Sequence, residues 1–247
     1  MQKTIAFITD THLGDKTPGL FNIDARHNLQ LVLDDIAQHN IDSLVFGGDI
    51  TETSEYKWFF NHLESFNPGF KAIMGNHDSY ADAIKFYRQP SAVKNALYYS
   101  SEDSYHKYIY LDSSSSKIDD AQCKWLKNQV SSSKKIIVFI HHPVIGFNTG
   151  MDTIYPLQNR DAVEAILQQA PNEVYVFCGH YHMADVRTRK NITQYTTPAT
   201  SFQVKKEAPD IEIYSGNFGY RLIIIDKYNV NTQLYLHING RFEATNG

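Results

Sequence analysis

Short apolar runs rich in β-branched residues recur along the chain at Thr4–Thr9, Ser43–Phe46, Phe70–Met74, Ile136–Ile140, Val174–Phe177 and Leu222–Ile225. They read as buried strands, because a strand covered on both faces has no need of polar alternation. Between them the period changes. Asp24–His39 sets Leu29, Leu31, Val32, Leu33 and Ile36 among polar and acidic residues, the spacing of a half-buried helix. Ser54–Phe66, Asp82–Arg88, Asp119–Val130 and Arg160–Gln169 carry similar patterns, with Ser54, Asp119 and Asn159 as candidate N-caps. Strand–helix alternation predicts an α/β fold with parallel pairing in its first half.

Two stretches break the alternation. Leu97–Asp112 is tyrosine-rich and reads as a hairpin of sheet surface and core. From Ala184 onward only short strands are predicted, at Asp185–Arg189, Ile192–Thr196, Ser201–Val204, Tyr220–Asp226 and Gln233–Ile238. No repeat of roughly 20 to 50 residues and no linker-like stretch divides the chain, so residues 1–247 are expected to form a single domain.

Composition narrows the class. The 23 basic and 27 acidic residues leave a net charge of −4, with 42% hydrophobic residues. Those values fit a globular protein and disfavour a binder of long nucleic acid. No apolar run approaches the ~20 residues that span a bilayer, so no membrane is expected. The N-terminus reads as a strand and not as a signal peptide. Cys123 and Cys178 form no CxxC pair, which argues against a disulfide scaffold or a thiolate zinc site and for a cytoplasmic protein. The outstanding count is 11 histidines.

The chemistry collects where the strands end. The first runs into Asp10-Thr11-His12, the second into Gly48-Asp49, and the third into Gly75-Asn76-His77-Asp78. The fourth ends at His141-His142-Pro143 and the fifth at Gly179-His180-Tyr181-His182. Ligands of open α/β sheets bind beyond the carboxyl ends of strands, so these groups converge if the strands are neighbours. Carboxylate, amide oxygen and imidazole without thiolate suit Zn²⁺, Mn²⁺, Fe or Co, and disfavour Ca²⁺. Asp10, His12, Asp49, Asn76, His141, His180 and His182 are too many ligands for one ion, so two divalent or mixed-valence ions are expected. Chance explains a lone Asp-x-His, expected roughly once in this chain. Gly-Asn-His-Asp is expected only roughly 0.003 times.

This ordered series resembles the calcineurin-like metallophosphoesterase superfamily. Met151-Asp152, Leu157-Gln158-Asn159, Thr197-Pro198-Ala199-Thr200-Ser201-Phe202-Gln203 and Gly219-Tyr220-Arg221 further resemble the bacterial class III cyclic nucleotide phosphodiesterases, a group with a glycerophosphodiesterase branch. The resemblance implies two mixed β-sheets packed as a sandwich and flanked by helices, a four-layer αββα fold. It implies one metal on Asp10, His12, Asp49 and His182, and a second on Asp49, Asn76, His141 and His180, with Asp49 as the bridge. Asn76 and His77 would face the phosphate. His77 would be the catalytic acid or a clamp on a phosphoryl oxygen, while the metals activate a hydroxide for in-line attack. Two divalent ions against two carboxylates leave the site at about +2, which would draw a phosphodiester anion.

Differences from the relatives inform the substrate. The arginine that phosphoprotein phosphatases place after the bridging Asp is absent, since Ile-Thr-Glu-Thr follows Asp49. A monoanionic diester needs that arginine less than a dianionic monoester does. That favours diesters, and the resemblance to the class III enzymes makes a small 3′,5′-cyclic nucleotide the expected substrate. Glycerophosphodiesters, or another small diester or monoester, form the alternative. A non-catalytic scaffold of the same fold is the alternative from another class, though no ligand histidine is missing. Oligomers are compatible with all of these. Asp78 reads either as a carboxylate that orients His77 or as a turn former. His142, Asp152 and Asn159 read as pocket or loop residues. His27, His39, His62, His106 and His237 read as surface or cap residues.

Overall fold

The computed structural model describes residues 2–52, 55–66, 69–89, 91, 93–208 and 210–245. The candidate cap Ser54 lies outside them. In chain order the elements are β1 (Lys3–Ile8), α1 (Lys16–Leu20), α2 (Ala25–Ile36), β2 (Ser43–Phe46), α3 (Tyr56–Glu64), β3 (Phe70–Ala72) and α4 (Tyr80–Ala83). There follow β4 (Tyr99–Glu102), β5 (His106–Tyr110), α5 (Asp120–Val130), β6 (Lys135–Phe139), α6 (Gly150–Ile154), α7 (Arg160–Leu167) and β7 (Val174–Cys178). The chain closes with β8 (Asp185–Arg189), β9 (Ile192–Thr196), β10 (Gln203–Val204), β11 (Ile213–Tyr214), β12 (Phe218–Ile225), β13 (Val230–Ile238) and β14 (Arg241–Thr245).

Among the described residues the strands form two six-stranded mixed sheets and one small ribbon. The first sheet has the order β14-β13-β12-β1-β2-β3, with β1, β2 and β3 parallel and the β12–β14 meander antiparallel. The second has the order β4-β5-β6-β7-β9-β8. Its central strands β5, β6, β7 and β9 are parallel, with antiparallel edges β4 and β8. β10 and β11 pair only with each other.

Alternation along β6 shows how the layers stack. Ile137 and Phe139 join the core shared with the first sheet, while Ile136 and Val138 join the core under α5 and α7. Aromatic rings fill the space between the sheets. Phe7 of β1 lies 5.6 Å from Phe139 of β6, and Tyr110 of β5 lies 5.2 Å from Phe139. Outside the first sheet, Phe59 of α3 packs edge-on against Phe46 of β2 at 4.7 Å, and Tyr220 of β12 donates to Asp35 of α2. The layers are thus helix, sheet, sheet, helix, as the sequence led one to expect.

Capping fixes the helix starts. Asp24 accepts from the His27 amide, and Asp119 from the Gln122 amide at 2.7 Å. Asn159 sits at the N-cap of α7 but spends its side chain elsewhere, on the amide and carbonyl of Ile118. The segment expected to be a helix at Asp82–Arg88 is helical only as α4, Tyr80–Ala83. His106, expected at the surface, is buried.

Candidate active site

The carboxyl ends of β1, β2, β3, β6 and β7 meet at one rim of the sandwich. Backbone bonds stitch neighbouring ends together within each sheet. The Asp10 amide donates to Gly48 O at 2.9 Å, and the Gly179 amide to His141 O at 3.0 Å. Glycine permits the closest approach. A Cβ on Gly75 would stand 2.1 Å from an Asp49 oxygen, and one on Gly179 would stand 2.3 Å from an Asp10 oxygen.

The backbone here is unusual as well. Asp10, His12, Asp49, His180 and His182 all have positive φ, between 48° and 67°. Left-handed backbone is uncommon in residues other than glycine, and it clusters where a side chain must be aimed against the local preference. These five turns swing the side chains inward from strands that have just ended.

The expected site residues come together as follows. Ligand atoms of Asp10, His12 and His182 lie within 4.8 Å of one another, as do those of Asp49, His141 and His180. Asp49 joins the two groups, with Oδ2 at 3.1 Å from His141 Nε2 and 3.6 Å from His12 Nε2. Asn76 and His77 line the same cleft, which has a volume near 280 Å³. Asp10, His12, Asp49, His141, His180 and His182 are all buried.

The outer nitrogen of each histidine is held. His12 Nδ1 lies 3.0 Å from Asp15 Oδ2, His141 Nδ1 2.8 Å from Gly47 O, His180 Nε2 2.8 Å from Tyr155 O, and His182 Nδ1 2.8 Å from Phe202 O. A ring that donates outward to oxygen keeps a basic nitrogen on its inner side. Two of those inner nitrogens, His12 Nε2 and His182 Nε2, lie 3.1 Å apart, beside Asp10 Oδ1 at 3.2 Å from His182. Asn76 Oδ1 is buried without a hydrogen-bond partner, and His141 Nε2 faces the Asp49 carboxylate. Lone pairs and carboxylates converging on one point suit cations, so the residues present fit the metals that the sequence implies.

Charge follows the same logic. Burial works against an ionised Asp10, but His182 and His141 outweigh it and hold the carboxyl down at about 2. Asp49 is likewise buried, and His141 and His12 keep it well below the usual carboxylate range. Burial disfavours charge on His141, yet Asp49 and Asp10 lift it to about 9. Burial and the neighbouring His141 push His180 down to about 3.

The structure decides between the two readings of Asp78. It does not reach the His77 ring. Its carboxylate accepts from the amides of Asp49 and Gly75 through Oδ2 and from Ile50 through Oδ1, each at 2.9 Å. It is a clasp between the loops after β2 and β3. Burial and the Asp49 charge push it up to about 7, against the pull of those amides.

The partner of His77 is Asp15, which the sequence reading did not single out. His77 Nδ1 lies 3.3 Å from Asp15 Oδ2 and 2.7 Å from Glu52 Oε1. Asp15 also stands against His12, so a single carboxylate serves both rings. Burial opposes a charged His77, but Asp15 and Asp49 raise it to about 9. The only signal for Asp15 was its place three residues after His12.

The remaining candidates are structural. His142 packs behind His180 with ring centroids 4.0 Å apart, and its Nδ1 lies 2.8 Å from Ser113 Oγ. Asp152 accepts from the Tyr181 hydroxyl and the Phe147 amide and pairs with Arg160, tying α6 to the turn between His180 and His182. The Asn159 side chain bonds to the amide and carbonyl of Ile118, and Asn159 is not among the residues that line the cleft.

Comparison with known proteins agrees with this geometry. Residues 3–184 match the family model for calcineurin-like phosphoesterases. A probable cyclic nucleotide phosphodiesterase of Fibrobacter succinogenes is 26% identical over 237 residues, covering 94% of this chain and 93% of its own. The glycerophosphodiester phosphodiesterase GpdQ of Enterobacter lignolyticus is 28% identical over 218 residues, covering 81% and 78%. A dimetal phosphatase from Danio rerio shares the fold at a TM-score of 0.64, with 14% identity, over 93% of this chain and 98% of its own. With its matched region spanning both sheets and every strand-end motif, the chain belongs to the calcineurin-like phosphoesterase family and is a phosphoester hydrolase.

Proposed function

We propose that the chain is a dinuclear metal-dependent phosphodiesterase acting on small diesters, with 3′,5′-cyclic nucleotides as the leading substrates. The observation that carries this reading is the outward anchoring of all four histidines, which leaves basic nitrogens and ionised carboxylates facing a common point. Asp10, His12, Asp49 and His182 would hold one ion, and Asp49, Asn76, His141 and His180 the other. Such a pair, when bound, supplies Lewis acidity and lowers the pKa of water for in-line attack at phosphorus. Manganese, iron and zinc all suit these donors.

The chain's own residues do the rest. Asn76 supplies a neutral oxygen, so it adds no negative charge at the site. The Asp15 and Glu52 carboxylates stand 3.3 and 2.7 Å from His77 Nδ1, so Nε2 would be the nitrogen that hands a proton to the departing alkoxide. Cyclic nucleotide and glycerophosphodiester names both occur among the relatives, and the nearly full-length match to the first supports the cyclic nucleotide reading. Both cysteines are free thiols, in keeping with a cytoplasmic location. Among the described residues no helix is long and apolar enough to cross a membrane.

The test is reconstitution. Chelator-stripped protein should regain hydrolysis of bis(p-nitrophenyl) phosphate and of 3′,5′-cyclic AMP when Mn²⁺, Fe²⁺ or Zn²⁺ is returned, with two metals per chain. Turnover of glycerophosphodiesters in place of cyclic AMP would move the substrate to the other branch. Fewer than one tight metal and no turnover would favour a scaffold.

A further inference from the structure

His12, Asp49, Asn76, His77, His180 and His182 line part of the cleft. The rest of the described lining is Thr17 and a wall of six residues: Met151 in α6, Tyr155 at its end, Phe202 before β10, Val204 in β10, Ile211 in the connection to β11, and Ile213 in β11. Among these six side chains the Tyr155 hydroxyl is the only hydrogen-bonding oxygen or nitrogen. No lysine or arginine is among the described residues that line the cleft.

This wall is preformed. Met151, Phe202 and Val204 pack in a small core with Phe147, Tyr181 and Met183, and Ile211 and Ile213 lie on it. Asp152 fastens α6 beneath it through Tyr181 and the Phe147 amide. Tyr155 remains 53% exposed, and Ile211 and Ile213 are half-buried, so apolar surface faces the cleft. Concave apolar surface beside a polar anchoring point is the usual architecture of a small-molecule site, and covering it with a ligand removes it from water.

We propose that this wall is a subsite for a flat aromatic ester group. The enzyme would then prefer phosphodiesters of an aromatic or nucleobase-bearing alcohol to those of a polyol such as glycerol. The inference rests on the phosphodiesterase reading above and adds the substituent. Glycerol would bring hydroxyls against a surface that offers almost nothing to bond them, at a cost in desolvation.

The test uses the metal-loaded full chain and a series of p-nitrophenyl diesters. The leaving group is constant, and the second alcohol is methyl, phenyl, 1-naphthyl, glyceryl or thymidine through its 5′-oxygen. We expect kcat/KM to rise about tenfold from methyl to 1-naphthyl, with the glyceryl ester no better than the methyl. In the double variant Ile211→Ser/Ile213→Ser the naphthyl-to-methyl ratio should fall to within about twofold. Ile211→Leu/Ile213→Leu should restore it. A thymidine ester that ranks with the naphthyl ester assigns the wall to nucleobases, and one that ranks with methyl assigns it to simple aryl groups. Equal rates across the series, or glyceryl above phenyl, would overturn the subsite while leaving the hydrolase intact. Cleavage of no member would defeat the phosphodiesterase reading instead. The subsite is then decided by the Ile211 and Ile213 methyl resonances of the metal-free chain on adding 1-naphthyl phosphate. Shifts support it, and their absence overturns it.

Discussion

The two sides of the cleft are built by different means. The polar side hangs from the ends of five buried strands, with left-handed backbone at five of its residues and a held nitrogen on each of four histidines. The apolar side comes from a five-residue helix and a two-strand ribbon outside both main sheets. The first is specified atom by atom and tolerates almost no change. The second is specified by shape and greasiness, and several side chains would serve. This difference predicts a steep fall in mutational cost from one side to the other.

The largest effect is expected at Asp49, which stands between the two clusters, 3.1 Å from His141 Nε2 and 3.6 Å from His12 Nε2. Asp49→Asn keeps the shape and removes the shared charge. Metal content should fall from two ions to at most one, and turnover by about 10³-fold or more. Plasma emission analysis together with single-substrate kinetics checks both. Near-normal turnover would refute the assignment of the polar side.

Gly75→Ala should come next. The added methyl meets the Asp49 carboxylate and backbone, neither of which can yield without moving the site. We expect about 10²-fold lower turnover with the chain still folded. Circular dichroism separates this outcome from unfolding. The mirror change on the apolar side, Ile213→Val, should cost less than about threefold.

Asp78 tests whether the polar side is also the costlier one in stability. Asp78→Ala leaves the buried amides of Asp49, Ile50 and Gly75 without their acceptor. The loss should be about 2–4 kcal/mol in urea denaturation of the metal-free chain. Removing the Ile211 side chain, which is half-buried, should cost about 1 kcal/mol.

The same contrast explains what was legible in the sequence. Thr4–Thr9 and Ile136–Ile140 announce themselves as strands because burial on both faces leaves only apolar residues to choose from. Their ends announce the ligands because metal chemistry restricts the residue type at each place. The site's remaining parts rest on weaker constraints. Asp15 is one acid among many, and only the fold brings it against His12 and His77. Positive φ leaves no mark where Asp and His adopt it. α1 and α6 are five residues each and carry Pro18, Gly19 and Gly150, so no helical period can develop. The residues after Ala83 have apolar spacing for a longer helix, but the bonds there mix three-residue turns, Lys85 to Asp82 and Phe86 to Ala83, with the four-residue bond of Tyr87 to Ala83, so the regular helix ends at Ala83, and the Tyr87 hydroxyl accepts from the Ala72 amide of β3 at 2.9 Å.

The smallest expected effect is at Tyr155, which, like Phe202, serves both sides. Its carbonyl holds His180 Nε2, a task that any side chain permits, while its ring covers part of the apolar wall. Its hydroxyl is needed by neither. Tyr155→Phe should therefore keep two metals and turnover within about twofold. Tyr155→Ala should keep both metals, because the carbonyl remains, yet lose a few-fold of the preference for aromatic esters, because the ring is gone. Metal analysis and the ester series, read side by side on these two variants, separate backbone from side chain at one position. If Tyr155→Ala lost metal as well as preference, the ring would be propping the polar side, and the division of labour across the cleft would fail at its seam.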